Sequence, residues 1–190
     1  MWNPKIYSES VYEEFKNTGI REMLERESWE DGMSNASINC TELYINKDGY
    51  AVIKLLTEIA RDAVTNNNWH LLAGVLRTVA WVTIDSTKST DIAYFLGYMQ
   101  EALLNGNSEA QEAAIMLAEE WRTQECYELL SVTTFNSEWI SEYAKKVIDE
   151  LRIELGQPKT VLSFAKKMSE TVEIDPEIQE IINDNFFEMI

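Results

Sequence analysis

Residues 68–84 read NWHLLAGVLRTVAWVTI. Wound at 3.6 residues per turn, this stretch is apolar almost all the way round, and a helix without a polar face belongs inside a protein. It follows the Asn66–Asn68 run and predicts a central buried helix.

The flanking segments are amphipathic. Residues 49–66, GYAVIKLLTEIARDAVTN, place Val52, Leu55, Leu56, Ile59 and Ala63 on one face. Residues 91–106, DIAYFLGYMQEALLNG, form a third helix with Gly106 as its stop. Ser108 with Gln111 has the spacing of a capping box opening SEAQEAAIMLAEEW, residues 108–121. ECYELLSV (125–132) and SEWISEYAKKVIDELRIELG (137–156) follow, and Gly156 with Pro158 separates the latter from PKTVLSFAKKM (158–168). The expectation is one all-α domain over residues 1–190, with about ten helices and connections of about two to six residues. Residues 28–48, SWEDGMSNASINCTELYINKD, show little helical pattern and read as an irregular loop. Within it, Trp29 among Glu27, Glu30 and Asp31 has the composition of an interface anchor, or it tucks onto the core.

Composition narrows the classes. The chain has 190 residues, 45% hydrophobic and 11% aromatic, which is globular rather than disordered. Its formal net charge of −17 repels nucleic acid and anionic membrane and draws in basic partners. No run is long and apolar enough to span a membrane, and the N-terminal stretch lacks a secretory pattern. Cys40 and Cys126 have no metal-type spacing and read as free buried thiols of a reducing compartment, so a cytoplasmic location is expected.

Catalytic signatures are missing. The one histidine, His70, rules out chemistry that needs two imidazoles, and its apolar surroundings read as core packing. There is no phosphate-cradling glycine motif and no nucleophile elbow. Placing Gly49 at the sixth position of a calcium loop puts Tyr44 first and Leu55 twelfth, so Asp48–Gly49 reads as a turn. ExxE pairs occur at Glu22/Glu25, Glu27/Glu30, Glu109/Glu112, Glu125/Glu128, Glu170/Glu173 and Glu177/Glu180, while ExxD does not occur. No cofactor or metal is expected. A magnesium-dependent, all-helical nucleotide pyrophosphohydrolase built on two ExxE pairs is the enzymatic alternative.

The chain ends on EIDPEIQEIINDNFFEMI, residues 173–190, and from Glu170 onward there is no Lys or Arg. Asp175 suits an N-cap, Pro176 the first helical position and Glu177 the positive end of the dipole. In the helix expected over 175–190, Ile178, Ile182, Phe186, Met189 and Ile190 form an apolar stripe. Glu177, Glu180, Asp184 and Glu188 fall within about 80° on the other side, with Phe187 pointing toward them. That side is either a solvated face or a surface that meets cations of another molecule.

The segments 108–121 and 137–156 both open on Ser-Glu, then carry small residues before aliphatic ones. This pattern resembles degenerate HEAT-like repeats over roughly residues 50–170, without the usual Pro and Arg; a plain helical bundle keeps the same periodicity. An acidic helical chain without catalytic equipment resembles the immunity proteins of bacterial toxin systems, including contact-dependent growth inhibition. The resemblance implies an inhibitor that caps a cognate toxin domain, commonly a basic nuclease whose Lys and Arg grip phosphate. The carboxylates expected to face it are Glu177, Glu180, Asp184 and Glu188; Glu109, Glu112, Glu119 and Glu120; and Glu27, Glu30 and Asp31 with Trp29. A helical-repeat adaptor presenting a groove is the non-toxin alternative.

Overall fold

The computed structural model describes residues 7–29, 35–82, 89–135 and 137–156, with backbone alone over 89–93. The chain partitions into two units, Met1–Leu155 and Gly156–Ile190, and the description concerns the first. Among the described residues the structure is all-α and contains no strand. Eight helices follow in order: α1 (Glu9–Lys16), α2 (Ile20–Arg26), α3 (Ala36–Thr65), α4 (Trp69–Trp81), α5 (Ser89–Asn105), α6 (Ser108–Trp121), α7 (Gln124–Val132) and α8 (Glu138–Glu154).

The expected count of about ten is not matched. The helices expected over 158–168 and 175–190 lie outside the described residues. Residues 36–48 are not a loop but the first half of α3, which is broken at Asp48 (φ −158°, ψ 99°) and continues to Thr65. The turn expected at Asp48–Gly49 is this break. Asp48 Oδ1 accepts the backbone N–H groups of Tyr50 (3.0 Å) and Ala51 (3.3 Å), capping the second half, while Oδ2 accepts Ser8 N–H at 2.6 Å beside α1. The first half hides from periodicity because two of its inward positions are polar. Ser37 and Thr41 are both buried. The Glu27 carboxylate, ten residues back, accepts the Ser37 N–H at 2.8 Å and the Ser37 hydroxyl, completing the positive end of α3 from a distance.

Helix α4 meets the expectation of a central helix. Every residue from Leu71 to Ala80 is buried, and α2, α3, α5 and α6 all pack on it, α6 most extensively. Gly74 makes the α2 crossing close: a Cβ there would stand 2.9 Å from the backbone oxygen of Leu24. Each helix touches only its next or next-but-one neighbour along the chain, so α1, α3, α5 and α7 form one row and α2, α4, α6 and α8 another.

The α5–α6 junction departs from the expected capping box. Asn107 is the N-cap, its side chain accepting Ala110 N–H at 3.0 Å. Gln111 is buried and donates instead to the Leu103 carbonyl at 3.0 Å, closing the end of α5. Asn caps at least as well as Ser, so the stronger local acceptor one residue earlier takes the position. Gly106 does follow the end of α5, its N–H bonded to the Ala102 carbonyl.

Gly74→Ala tests the close crossing. Alanine gains about 1 kcal/mol of helix propensity, but pushing its methyl against α2 backbone costs about 1–3 kcal/mol. The expected net effect in urea denaturation is a loss of stability, the reverse of an unobstructed helical glycine.

Candidate partner-binding surface

Arg77 organises the junction of α4 and α6. It stands two turns after His70 on the same stripe of α4, and Glu109 and Glu112 stand one turn apart on α6. Arg77 Nη1 donates to Glu109 at 3.1 Å and Nη2 to Glu112 at 2.9 Å. Its side chain is only 8% exposed, and its guanidinium lies 5.7 Å from the centre of the Trp29 ring. A buried guanidinium without carboxylates would be costly, and the fork geometry lets one arginine hold two. His70 is not core packing. It is 45% exposed in the first turn of α4, where Nδ1 lies 2.9 and 3.0 Å from the two Glu109 oxygens and donates its proton there.

Trp29, Glu109 and Glu112 are thus brought together, around a cation that belongs to the chain itself. Glu109 and Glu112 therefore share one internal cation. Glu119 turns toward α8, accepting the Tyr143 hydroxyl at 2.5 Å, whereas Glu120 is exposed. Trp29 is half-buried against the core, and its indole N–H meets no acceptor among the described residues. Glu30, Asp31, Glu177, Glu180, Asp184, Phe187 and Glu188 lie outside the described residues. Cys40 is half-buried rather than buried and Cys126 is buried; both are free.

A second feature leaves little trace in the sequence. Between α5 and α7 runs an open groove of about 370 Å³ lined by Leu96, Gly97, Gln100, Glu125, Glu128, Leu129 and Val132. Val132 is 81% exposed at its edge. From residue 89 to 144 the sequence holds ten acidic residues and one cation, Arg122. That cation is engaged with Glu154 at 2.8 Å. Gly97 sits in the middle of α5, where glycine costs about 1 kcal/mol relative to alanine. A Cβ there would meet nothing within 4 Å, so no neighbour among the described residues requires the glycine.

No group of three or more His, Cys, Asp or Glu side chains among the described residues is placed to hold a metal ion. Likewise, no described helix is long and apolar enough to cross a membrane. Comparison of the chain with family models, curated proteins and solved structures gives no match.

Burial pushes the Tyr143 phenol well above its usual range, and its bond to the Glu119 carboxylate pushes the same way. Tyr12 is raised by burial and by Glu58, whose carboxylate accepts its hydroxyl at 2.5 Å. The folded chain therefore keeps two phenolic protons that the unfolded chain releases above about pH 10. This stabilisation is complete below about pH 10 and declines as the pH rises further. Urea denaturation between pH 9 and 11 should show that decline, and Tyr143→Phe should make it shallower. At neutral pH, Arg77→Ala should lose about 2–4 kcal/mol, because two partly buried carboxylates are left side by side without their cation.

Proposed function

We propose that this chain is an immunity protein: a cytoplasmic, single-domain, HEAT-like stack of antiparallel helices that captures a cognate toxin domain and neutralises it. The partner is a basic protein, a nuclease in the form the charge favours, and the acidic surface takes the Lys and Arg that would otherwise grip phosphate. The observation that carries this reading is the acidic stretch from residue 89 to 144, where ten acids, two of them paired with Arg77, meet one engaged cation within the stretch, on a chain of net charge −17. Charge of one sign destabilises the compact state through self-repulsion, and a basic partner relieves it. The two-row order of helices agrees with a repeat stack, in which each unit touches its nearest neighbours.

A helical-repeat adaptor is the second reading, favoured by the groove between α5 and α7. Salt separates the two, since a mainly apolar docking changes little between low and physiological ionic strength. The ExxE pairs lend less to a hydrolase: Arg77 bridges Glu109 and Glu112, and Glu27 is engaged by Ser37.

The test is kinetic. With the basic protein retained by the immobilised chain at low salt, association is measured for three double reversals: Glu125 and Glu128 to Lys, Glu119 and Glu120 to Lys, and Glu177 and Glu180 to Lys. At least one should slow association by about tenfold, with folding intact. Three unchanged association rates would end the electrostatic account.

A further inference from the structure

We propose that the α5–α7 groove is the seat of an amphipathic helix of the partner, with an aliphatic face toward Leu96, Leu129 and Val132 and lysines or arginines toward Glu125 and Glu128. The proposal rests on the reading of the chain as a binder of a basic protein and adds where and by what element it binds.

Three observations meet in this groove. Its floor is apolar and open, and Val132 projects at its edge with most of its surface in water. Its rim is acidic, and from residue 89 to 144 the one cation, Arg122, is already engaged. Gly97 leaves bare backbone in the floor, with open space where its Cβ would be. Glycine permits another backbone to approach closely, and nothing among the described residues uses that permission. Helix-in-groove recognition combines these features: side chains at i, i+3, i+4 and i+7 enter the groove, and flanking charges fix the direction. The volume lies at the lower end of the range of about 300–1,000 Å³ typical of ligand clefts.

Charge selects the occupant. A second copy brings another net −17 to an acidic rim. In the chain's own residues 157–190, those from Glu170 onward carry seven acids and no cation, whereas 158–168 carry Lys159, Lys166 and Lys167 and no acid, so charge rejects the former and the latter stand as the competitor that the lysine reversals test. A basic helix of another protein faces no such repulsion.

The probe is a synthetic 15-residue peptide with Leu at i, i+3, i+4 and i+7 spacing and Lys elsewhere. Its control is a scrambled peptide of the same composition, and binding to the full chain is read by fluorescence anisotropy at low salt. The amphipathic peptide should bind at least tenfold more tightly than the scrambled one. Gly97→Leu, which fills open space and leaves the helical circular dichroism unchanged, should erase that difference; Val132→Gln should reduce it. Glu125→Lys with Glu128→Lys should weaken both peptides. Equal binding of the two peptides, weakened alike by charge reversal, overturns the groove and leaves the acidic-surface reading standing. Failure of both to bind at low salt overturns both readings. A dimer that Gly97→Leu dissolves gives the groove to a second copy. Binding that appears only when Lys159, Lys166 and Lys167 are changed to Glu gives it to the chain's own residues 158–168. Either result overturns the proposal.

Discussion

The burial of α4 on all sides is the constraint on which the rest of the structure depends. A helix with ten consecutive buried residues has no face that water can keep, so α2, α3, α5 and α6 must close over it. Gly74 admits α2 at a distance that any side chain would forbid. The same enclosure traps Arg77, and a trapped guanidinium has to be answered by carboxylates. Glu109 and Glu112 answer it, which fixes the rotation of α6 about its own axis and spends the acidic residues nearest the core.

That internal use of charge determines what remains for the outside. With Glu109 and Glu112 held by Arg77 and Glu119 turned to Tyr143, the carboxylates that pair with no cation among the described residues include the groove rim between α5 and α7. Long-range and short-range recognition then divide naturally. The net charge acts over about 10 Å at ordinary ionic strength and raises the rate of encounter. On the proposed reading, the groove acts only on contact, where shape and apolar burial set how long an encounter lasts.

Much of the architecture was legible because apolar periodicity is a property of neighbouring residues. The central helix α4 (Trp69–Trp81) and the helices around it follow from spacing alone. The first half of α3 was not legible, since Ser37 and Thr41 occupy positions where the pattern demands aliphatic residues, and the carboxylate that completes its start belongs to Glu27. Arg77 passed unnoticed inside an apolar run because its partners stand 32 and 35 residues away. His70 reads as core packing for the same reason: its neighbours in sequence are apolar while its neighbour in space is Glu109. The groove left only faint traces. Leu96 and Leu129 look like any core leucines, and the isolated Gly97 within a helical pattern is the one local irregularity. Trp29, Glu109 and Glu112 were each singled out by composition, yet their convergence on a cation of the chain itself could come only from the fold.

Hydrogen–deuterium exchange of the full chain, alone and with its bound basic protein, tests the central claim most directly. The account predicts slowed exchange concentrated in residues 96–104 and 125–132, with 71–80 already protected in both states by burial. Protection confined to α1, α2 and α3, with the α5–α7 face exchanging as fast in the complex as in the free chain, would contradict it.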